Sequence, residues 1–111
     1  MSELTERKCV PCEGGIPALT RAEAEALMPQ LAPDWKLAPD ASCIERAYSF
    51  KDFFRAMSFV NAVAHVANVE DHHPDLEVNY GRCRVRWNTH AVKGLSENDF
   101  ICAAKLDRIE P

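Results

Sequence analysis

Strict alternation of apolar and polar residues along residues 82–90, RCRVRWNTH, predicts a β-strand with two different faces, because successive side chains of a strand point in opposite directions. One face carries Cys83, Val85, Trp87 and Thr89, and the other carries Arg82, Arg84, Arg86, Asn88 and His90. Residues 76–80, LEVNY, alternate in the same way, and Gly81 separates the two runs. The pattern therefore predicts a hairpin that turns at Gly81.

Two further segments have the composition of strands. Residues 43–50, CIERAYSF, have one apolar face that only Arg46 interrupts. We expect this strand and the strand at 76–80 to be half-buried. Residues 35–39, WKLAP, form a weaker fourth strand.

Three hydroxyl residues stand three positions before a carboxylate, a spacing typical of a helix N-cap because both side chains can bond the unpaired amides of the first turn. The pairs are Thr20 with Glu23, Ser49 with Asp52, and Ser96 with Asp99. The first helix, at 21–28, is short and stops at Pro29. The second runs from about Lys51 toward Asn68, and the third covers residues 98–109.

The two longer helices differ in how much of their surface is apolar. In the second, apolar residues cover roughly half of the circumference at 100° per residue, which predicts a deeply packed helix. These residues are Phe53, Ala56, Met57, Phe59, Val60, Val63, Ala64, Val66 and Ala67. The third helix directs its apolar side toward a core and leaves Lys105, Asp107 and Arg108 to water.

The order of elements is helix, two strands, helix, two strands, helix. This order favours an α+β fold in which a four-stranded antiparallel sheet has three helices packed on one face.

Length and composition indicate one small domain. The chain has 111 residues, of which 47% are hydrophobic, and we expect one domain at residues 19–111 after an N-terminal tail, residues 1–18, that contains a CxxC pair. The charged start MSELTERK and the lack of a long apolar run predict a soluble, cytoplasmic protein without a membrane span. A net charge of −4 makes nucleic-acid binding unlikely, and five cysteines give no disulfide framework.

The hairpin brings three imidazoles together. His72 and His73 precede its first strand and His90 ends its second, so antiparallel pairing places all three at one edge of the sheet. Pro74 restrains the backbone of His73 and fixes its own φ. His65 falls on the polar side of the second helix and is expected to be a surface residue.

Several kinds of site are compatible with these residues. The histidines could be solvated surface residues, or they could bind a metal, although neighbouring side chains of an extended chain point apart. Cys9 and Cys12 have the spacing of half a zinc ribbon but no second pair follows, and Cys83 faces away from His90. Acid–base catalysis suits imidazole because it both donates and accepts protons near neutral pH. The arginine row, Arg82, Arg84 and Arg86, is interpreted as a solvated face or a subunit contact, with an anion or RNA surface as the weaker alternative.

Residues 70–100, EDHHPDLEVNYGRCRVRWNTHAVKGLSENDF, closely resemble the signature of the pterin-4a-carbinolamine dehydratases. The signature has His-His-Pro, then an aromatic residue, then Thr-His, and finally Gly-Leu-Ser with a following Asp. The likeness extends from about Thr20 to Arg108, and the N-terminal piece looks like that of bacterial members encoded beside phenylalanine hydroxylase.

The resemblance implies an enzyme that needs no metal or other cofactor and converts 4a-hydroxytetrahydropterin to quinonoid dihydropterin for aromatic amino acid hydroxylases. It implies that His72, His73 and His90 are catalytic, with His72 and His90 as the acid–base pair and His73 chiefly binding the pterin. It also implies that five residues contact the substrate. They are Asp71, Pro74, Asn88, Thr89 and Ala91.

Two further expectations come from the resemblance. Many members have a glutamate four residues before the first histidine, where this chain has Asn68, so Glu70 or Asp71 would have to take over any role of that carboxylate. The family also suggests a homodimer or homotetramer, and phenylalanine hydroxylase or a regulatory protein as a partner. A protein-interaction or coactivator module with the same fold is therefore the alternative function.

Overall fold

The computed structural model describes residues 3–10 and 17–109, and it contains the helices and strands in the predicted order. The helices are α1 (Arg21–Leu27), α2 (Phe53–Glu70) and α3 (Glu97–Arg108), and the strands are β1 (Lys36–Leu37), β2 (Ile44–Ser49), β3 (Asp75–Asn79) and β4 (Arg82–Trp87). Single 3₁₀ turns lie at Glu3–Glu6, Met28–Gln30 and His90–Val92. The α+β fold class is confirmed. None of the helices in the described ranges is long and apolar enough to cross a membrane.

The four strands pair antiparallel in the order β1-β2-β4-β3, so the strand with the cleanest alternation is an inner strand. Asn79 pairs with Arg82, which leaves Tyr80 and Gly81 as the turn of the hairpin. A Cβ atom at Gly81 would lie 2.9 Å from the carbonyl oxygen of Phe50, whose own amide donates to the carbonyl oxygen of Gly81. Glycine therefore lets the hairpin turn pack against the end of β2.

One face of the sheet and the helices that cover it form the core. From β4, Cys83, Val85 and Trp87 are buried, as their alternation predicted. α3 is the most buried helix, and its buried residues are Asn98, Asp99, Phe100, Ile101, Cys102, Ala103, Ala104 and Leu106. Burial of this continuous apolar surface, which the sequence pattern predicts, is the main contribution to the stability of the fold.

α2 differs from its prediction in two respects. Its N-cap is Asp52, which accepts a hydrogen bond from the Arg55 amide, whereas Ser49 is the last residue of β2. The prediction of a deeply packed helix was wrong, because only four residues of α2 are buried and Phe54 is 78% exposed. One row of the broad apolar surface is buried, Val60 and Val66 are partly buried against the core, and other apolar residues such as Phe54 face outward.

The prediction that the strand at 76–80 is half-buried was also wrong. All five residues of β3 are exposed, including Leu76 and Val78. The physical reason is the strand order, which places β3 at the edge of the sheet with a neighbouring strand on one side only.

Arg46, the polar exception on the apolar face of β2, is buried in a polar cluster. Its guanidinium lies 4.5 Å from the centre of the Tyr48 ring and donates to Asp107 at 2.9 Å and to Asp34 at 3.2 Å. Asp107 also accepts hydrogen bonds from Trp35 Nε1 at 2.8 Å and from the amide of Ala32 at 2.9 Å. The prediction that Asp107 faces water was therefore wrong, because this carboxylate joins α3 to the sheet and to the segment before β1.

Replacing Asp107 with alanine is expected to lower the free energy of unfolding by about 2–4 kcal/mol, because the buried Arg46 loses its main counter-charge and Trp35 loses an acceptor. Urea unfolding monitored by circular dichroism measures the change. As a control, Glu25→Ala removes only an exposed pair with Arg21 at 3.6 Å and should cost less than about 0.5 kcal/mol. Equal losses in the two variants would contradict the structural role of the cluster.

Candidate active site

The loop between α2 and β3 positions His72 and His73. Asp71 ends α2 in the left-handed conformation, with φ of 52°, and the amide of His72 donates to the carbonyl oxygen of Ala67 at 3.1 Å. These bonds satisfy the end of the helix and turn the chain toward the sheet. The end of α2 thus fixes the backbone at His72, and His73 follows it directly.

The end of β4 positions His90. Thr89 follows the strand and pairs with Gly94, its amide donating to the carbonyl oxygen of Gly94 at 2.7 Å. His90 begins the 3₁₀ turn that this pairing encloses. A Cβ atom at Gly94 would lie 2.8 Å from Cβ of Ala18, so the loop packs closely against the segment before α1.

All three histidines line one cavity of about 370 Å³, which is within the usual size range of small-molecule sites. The cavity is lined by Val10, Asp71, His72, His73, Asn88, Thr89, His90, Ala91 and Asn98. The hairpin thus brings together the three histidines and four of the five expected contact residues. Pro74 is half-buried nearby but does not line the cavity.

A second cavity of about 600 Å³ adjoins the first and shares Asn88, Thr89 and His90 with it. Cys43 and Lys93 line only this larger space. Although it is larger, it contains one of the three imidazoles, so proton-transfer groups are concentrated in the smaller cavity. We therefore take the smaller cavity as the candidate site.

His72 is held more firmly than the other two histidines. Its Nε2 lies 2.6 Å from Oδ1 of Asp99, and its ring is stacked on Trp87 with a centroid distance of 5.6 Å and an interplanar angle of 9°. The His72 side chain is 11% exposed, whereas His73 and His90 are exposed residues. One imidazole is therefore fixed in orientation while two remain accessible to a ligand.

Asp99 belongs to the candidate site, although the sequence pattern indicated only its role at the N-cap of α3. It is fully buried, and its Oδ2 accepts hydrogen bonds from the hydroxyl of Thr89 at 2.8 Å and from the amide of Ser96 at 2.9 Å. The bond to Ser96 confirms the predicted N-cap of α3. The sequence pattern assigned the Asp99 carboxylate to the cap of α3. It gave no reason to expect that the other oxygen of this carboxylate binds His72.

Residues 7–10, which we call the strap, run beside the site, and Val10 at their end forms part of its wall. Both the amide and the carbonyl of Val10 bond the side chain of Asn98, at 3.1 Å and 2.6 Å, and Arg7 pairs with Glu97. Asn98 and Glu97 belong to the first turn of α3, directly beside Asp99. Nothing in the sequence pattern predicted that the N-terminal segment reaches the cavity; Cys12 lies outside the described residues.

Glu70 bonds the strap and α3, and it does not line the cavity with the histidines. It accepts hydrogen bonds from the amide of Cys9 at 2.9 Å and from Nζ of Lys105 at 2.6 Å. Burial alone would raise the pKa of Glu70, but the hydrogen bonds from Lys105 and Cys9 outweigh it and hold the pKa below its usual range. Lys105, which was expected to face water, thus forms an ion pair with Glu70. Of Glu70 and Asp71, the two residues considered in place of the family glutamate, Asp71 lines the cavity and Glu70 does not.

The other residues that the sequence pattern singled out do not line this cavity. His65 is exposed on α2, as expected. In the arginine row, Arg84 pairs with Glu77 at 2.8 Å and Arg86 with Glu45 at 3.3 Å, both on neighbouring strands. Within the described ranges, no group of three histidine, cysteine or acidic side chains is arranged to hold a metal ion.

Comparison with known sequences identifies what this arrangement resembles. The family model described as pterin 4 alpha carbinolamine dehydratase matches residues 17–109. A protein of Nitrosomonas eutropha is 56% identical over 107 residues, covering 96% of this chain and 93% of its own, and one of Legionella pneumophila is 51% identical over 108 residues, covering 97% and 96%. Both carry the name "putative pterin-4-alpha-carbinolamine dehydratase".

Comparison of structures agrees with the sequence matches. A crystal structure of a "transcriptional coactivator/pterin dehydratase" from Brucella melitensis superposes with a TM-score of 0.78 at 32% identity, covering 85% of this chain and 99% of that one. The likeness in fold therefore extends over most of the chain.

Replacing Glu70 with glutamine is expected to lower stability at neutral pH by about 1–2 kcal/mol and to matter much less in acid. Because the pKa of Glu70 in the folded protein is below its ordinary value of 4.5, the carboxylate stabilises the fold above about pH 4.5, and that contribution is lost as the pH falls through the folded-state value. Urea unfolding of both proteins at about pH 7 and about pH 3 measures the difference.

The matched control is Glu6→Gln, which changes an exposed carboxylate near the strap. Its stability should follow that of the unaltered protein at both pH values. If the difference caused by Glu70→Gln were the same at both pH values, the assigned ion pair would not be the source of the stability.

Proposed function

The chain belongs to the pterin-4a-carbinolamine dehydratase family, and we propose that it removes water from 4a-hydroxytetrahydropterin to give quinonoid dihydropterin. The single observation that carries the proposal is the convergence of His72, His73 and His90 on one cavity sized for a small ring system. Similarity over residues 17–109 supports the same reaction because all three histidines fall inside the matched region.

The reaction requires two proton transfers. The bond between C4a and its hydroxyl oxygen breaks, the departing hydroxide takes a proton to become water, and the proton on N5 is lost as the C4a–N5 double bond forms. No electrons are exchanged with another molecule, so two correctly placed acid–base groups are sufficient. Histidine is suited to both transfers, and holding the groups beside the ring removes much of the entropic cost.

We assign His72 and His90 to these transfers. Asp99 holds Nε2 of His72, which leaves Nδ1 as the ring nitrogen that can exchange a proton with the substrate. Stacking on Trp87 further fixes the plane of that ring. His90, from the other end of the hairpin, would act from the opposite side of C4a, and the exposed His73 would chiefly bind the pterin.

The other cavity residues would recognise the edge of the pterin ring. Asp71, Asn88 and Ala91 line the cavity and offer polar side-chain or backbone groups. The hydroxyl of Thr89 is already committed to Asp99 and Ser96, so its contribution is to position the site. Pro74 would act through the backbone by restraining His73.

A role in regenerating the cofactor of an aromatic amino acid hydroxylase is part of the proposal. Quinonoid dihydropterin must be reduced before it can be used again, so removal of water would precede a reduction step. A hydroxylase or a regulatory protein is the proposed partner in this setting.

An interaction role is the second candidate, and exposed apolar residues support it. Phe53, Phe54 and Val69 on α2 and Leu76 and Val78 on β3 are exposed. The Brucella protein is described as a transcriptional coactivator as well as a dehydratase. We propose that these surfaces join copies of the chain into a homodimer or homotetramer, or bind a partner.

Phe54→Ser should then change the mass measured by light scattering while leaving dehydration by each subunit intact.

Replacing His72 or His90 with alanine is expected to lower kcat for dehydration by about 10²–10⁴-fold, because each change removes a proton-transfer group. His73→Ala should mainly raise KM. The measurement is the absorbance change on dehydration of chemically generated carbinolamine, after subtraction of the uncatalysed rate. His65→Ala, on the exposed side of α2, is the matched control and should retain full activity.

Full activity in the His90 or His73 variant would contradict the proposed site. Loss of activity in the His65 variant would likewise show that imidazoles outside the cavity matter.

Asp99→Asn is expected to reduce kcat by about 10–100-fold in a protein that still folds, because asparagine can keep polar contacts with Thr89 and Ser96 but no longer holds His72 through a carboxylate. Nitrogen-15 NMR of the labelled imidazoles should show a change in the His72 ring and little change in His65. An unaltered His72 spectrum with reduced activity would contradict the positioning role.

A further inference from the structure

Two cysteines outside the proposed reaction lie in contact where the strap crosses α3. Sγ of Cys9 is 3.5 Å from Sγ of Cys102, although the two residues are 93 positions apart in the chain. Cys9 is half-buried and Cys102 is fully buried. Both are free thiols in this structure.

We propose that Cys9 and Cys102 are a redox modification site at which a hydroperoxide forms a disulfide that fastens the strap to α3. The sulfur atoms must approach by about 1.5 Å to reach the bond length of about 2.05 Å. The strap is short and is attached mainly through Val10, Arg7 and the amide of Cys9, so a shift of this size can be made by the strap without displacing the buried helix.

The exposures of the two thiols indicate the order of the steps. A peroxide from solvent reaches the half-buried Cys9: an S–O bond forms, the O–O bond breaks and sulfur is oxidised to sulfenic acid. The leaving oxygen takes the thiol proton and departs as water from hydrogen peroxide, or as an alcohol from an organic hydroperoxide. Cys102 then attacks that sulfur. The S–S bond forms, the S–O bond breaks, and the proton of Cys102 leaves with the hydroxide as water.

The surroundings of Cys102 make it the resolving thiol rather than the first target. The adjacent Cys9 thiol, together with burial, raises the pKa of Cys102 far above its usual range. Because the thiolate is the form that reacts with peroxide, the burial of Cys102 and its raised pKa leave Cys9 as the first target. Once Cys9 is oxidised, its thiol no longer raises the pKa of Cys102, which can then lose its proton and attack as the thiolate. The carbonyl oxygen of Asn98, 3.6 Å from Sγ of Cys9, keeps the first thiol beside its partner.

The consequence for the molecule is a strap that cannot leave the wall of the cavity. Val10 lines the cavity and Asn98 binds Val10, so the strap and the first turn of α3 hold each other in place. Closing a loop of this length restricts the unfolded chain strongly, and the melting temperature should rise on the order of 10 °C.

The test uses the full chain with Cys12→Ser, because trypsin leaves Cys9 and Cys12 on one peptide, residues 9–21. After hydrogen peroxide treatment and alkylation, mass spectrometry should find that peptide joined to residues 94–105, which contain Cys102, within single molecules. The melting temperature should rise and return on treatment with dithiothreitol. The control Cys12→Ser with Cys102→Ala should show neither change.

The unsubstituted chain should give the same joined peptides. Oxidation of Cys9 that stops at sulfinic acid, or that joins Cys9 only to another molecule, would overturn the proposal. A joined pair that lowers the melting temperature would also overturn it, because the strap would then be displaced rather than fastened.

Discussion

The buried carboxylate of Asp99 is the point on which the arrangement of the site depends. One oxygen holds His72, and the other binds Thr89 at the end of β4 and the amide of Ser96 at the start of α3. Three separate segments of the chain are thus fixed relative to one another by one side chain. A carboxylate is well suited to this because it has two acceptor oxygens, and burial requires that both be used. His72 is consequently tied to the core through Asp99.

Around that fixed point the protein combines the framework that the family model matches with a segment that lies before it in the chain. Residues 17–109 match the family, and they include the hairpin, the three histidines and Asp99. The strap lies before the matched region, yet Val10 reaches the cavity and Cys9 contacts α3. The framework therefore accounts for the proposed reaction, while the strap offers a place where sequence outside that framework can act on the same cavity.

Local rules predicted the elements of the fold well. Strand alternation at 82–90 identified the buried face of β4, and capping residues located the starts of α1 and α3, because these patterns report bonds made within a few residues. Exposure of β3 was not predictable in this way, since it depends on which strand is at the edge. The helix wheel of α2 likewise shows that a surface is apolar, but not what covers it.

The same difference between local patterns and contacts distant in sequence applies to the candidate site. Gly81 and the order of the histidines were enough to predict that residues 72, 73 and 90 meet, because hairpin register is a local property. Asp99 and Asp107 could not be identified, because each had an ordinary explanation on α3 and its partners are distant in sequence. Arg46 was the indication that the sequence offered of a buried carboxylate, because a charged residue on an apolar face needs a buried counter-charge.

A crystal structure with a 7,8-dihydropterin bound tests the central claim most directly. The account predicts the ring in the cavity of about 370 Å³, with His72 still bonded to Asp99 and with His72 and His90 on opposite sides of C4a. A ring seated instead in the adjoining cavity beside Cys43 and Lys93, or a His90 side chain turned away from the bound ring, would contradict it.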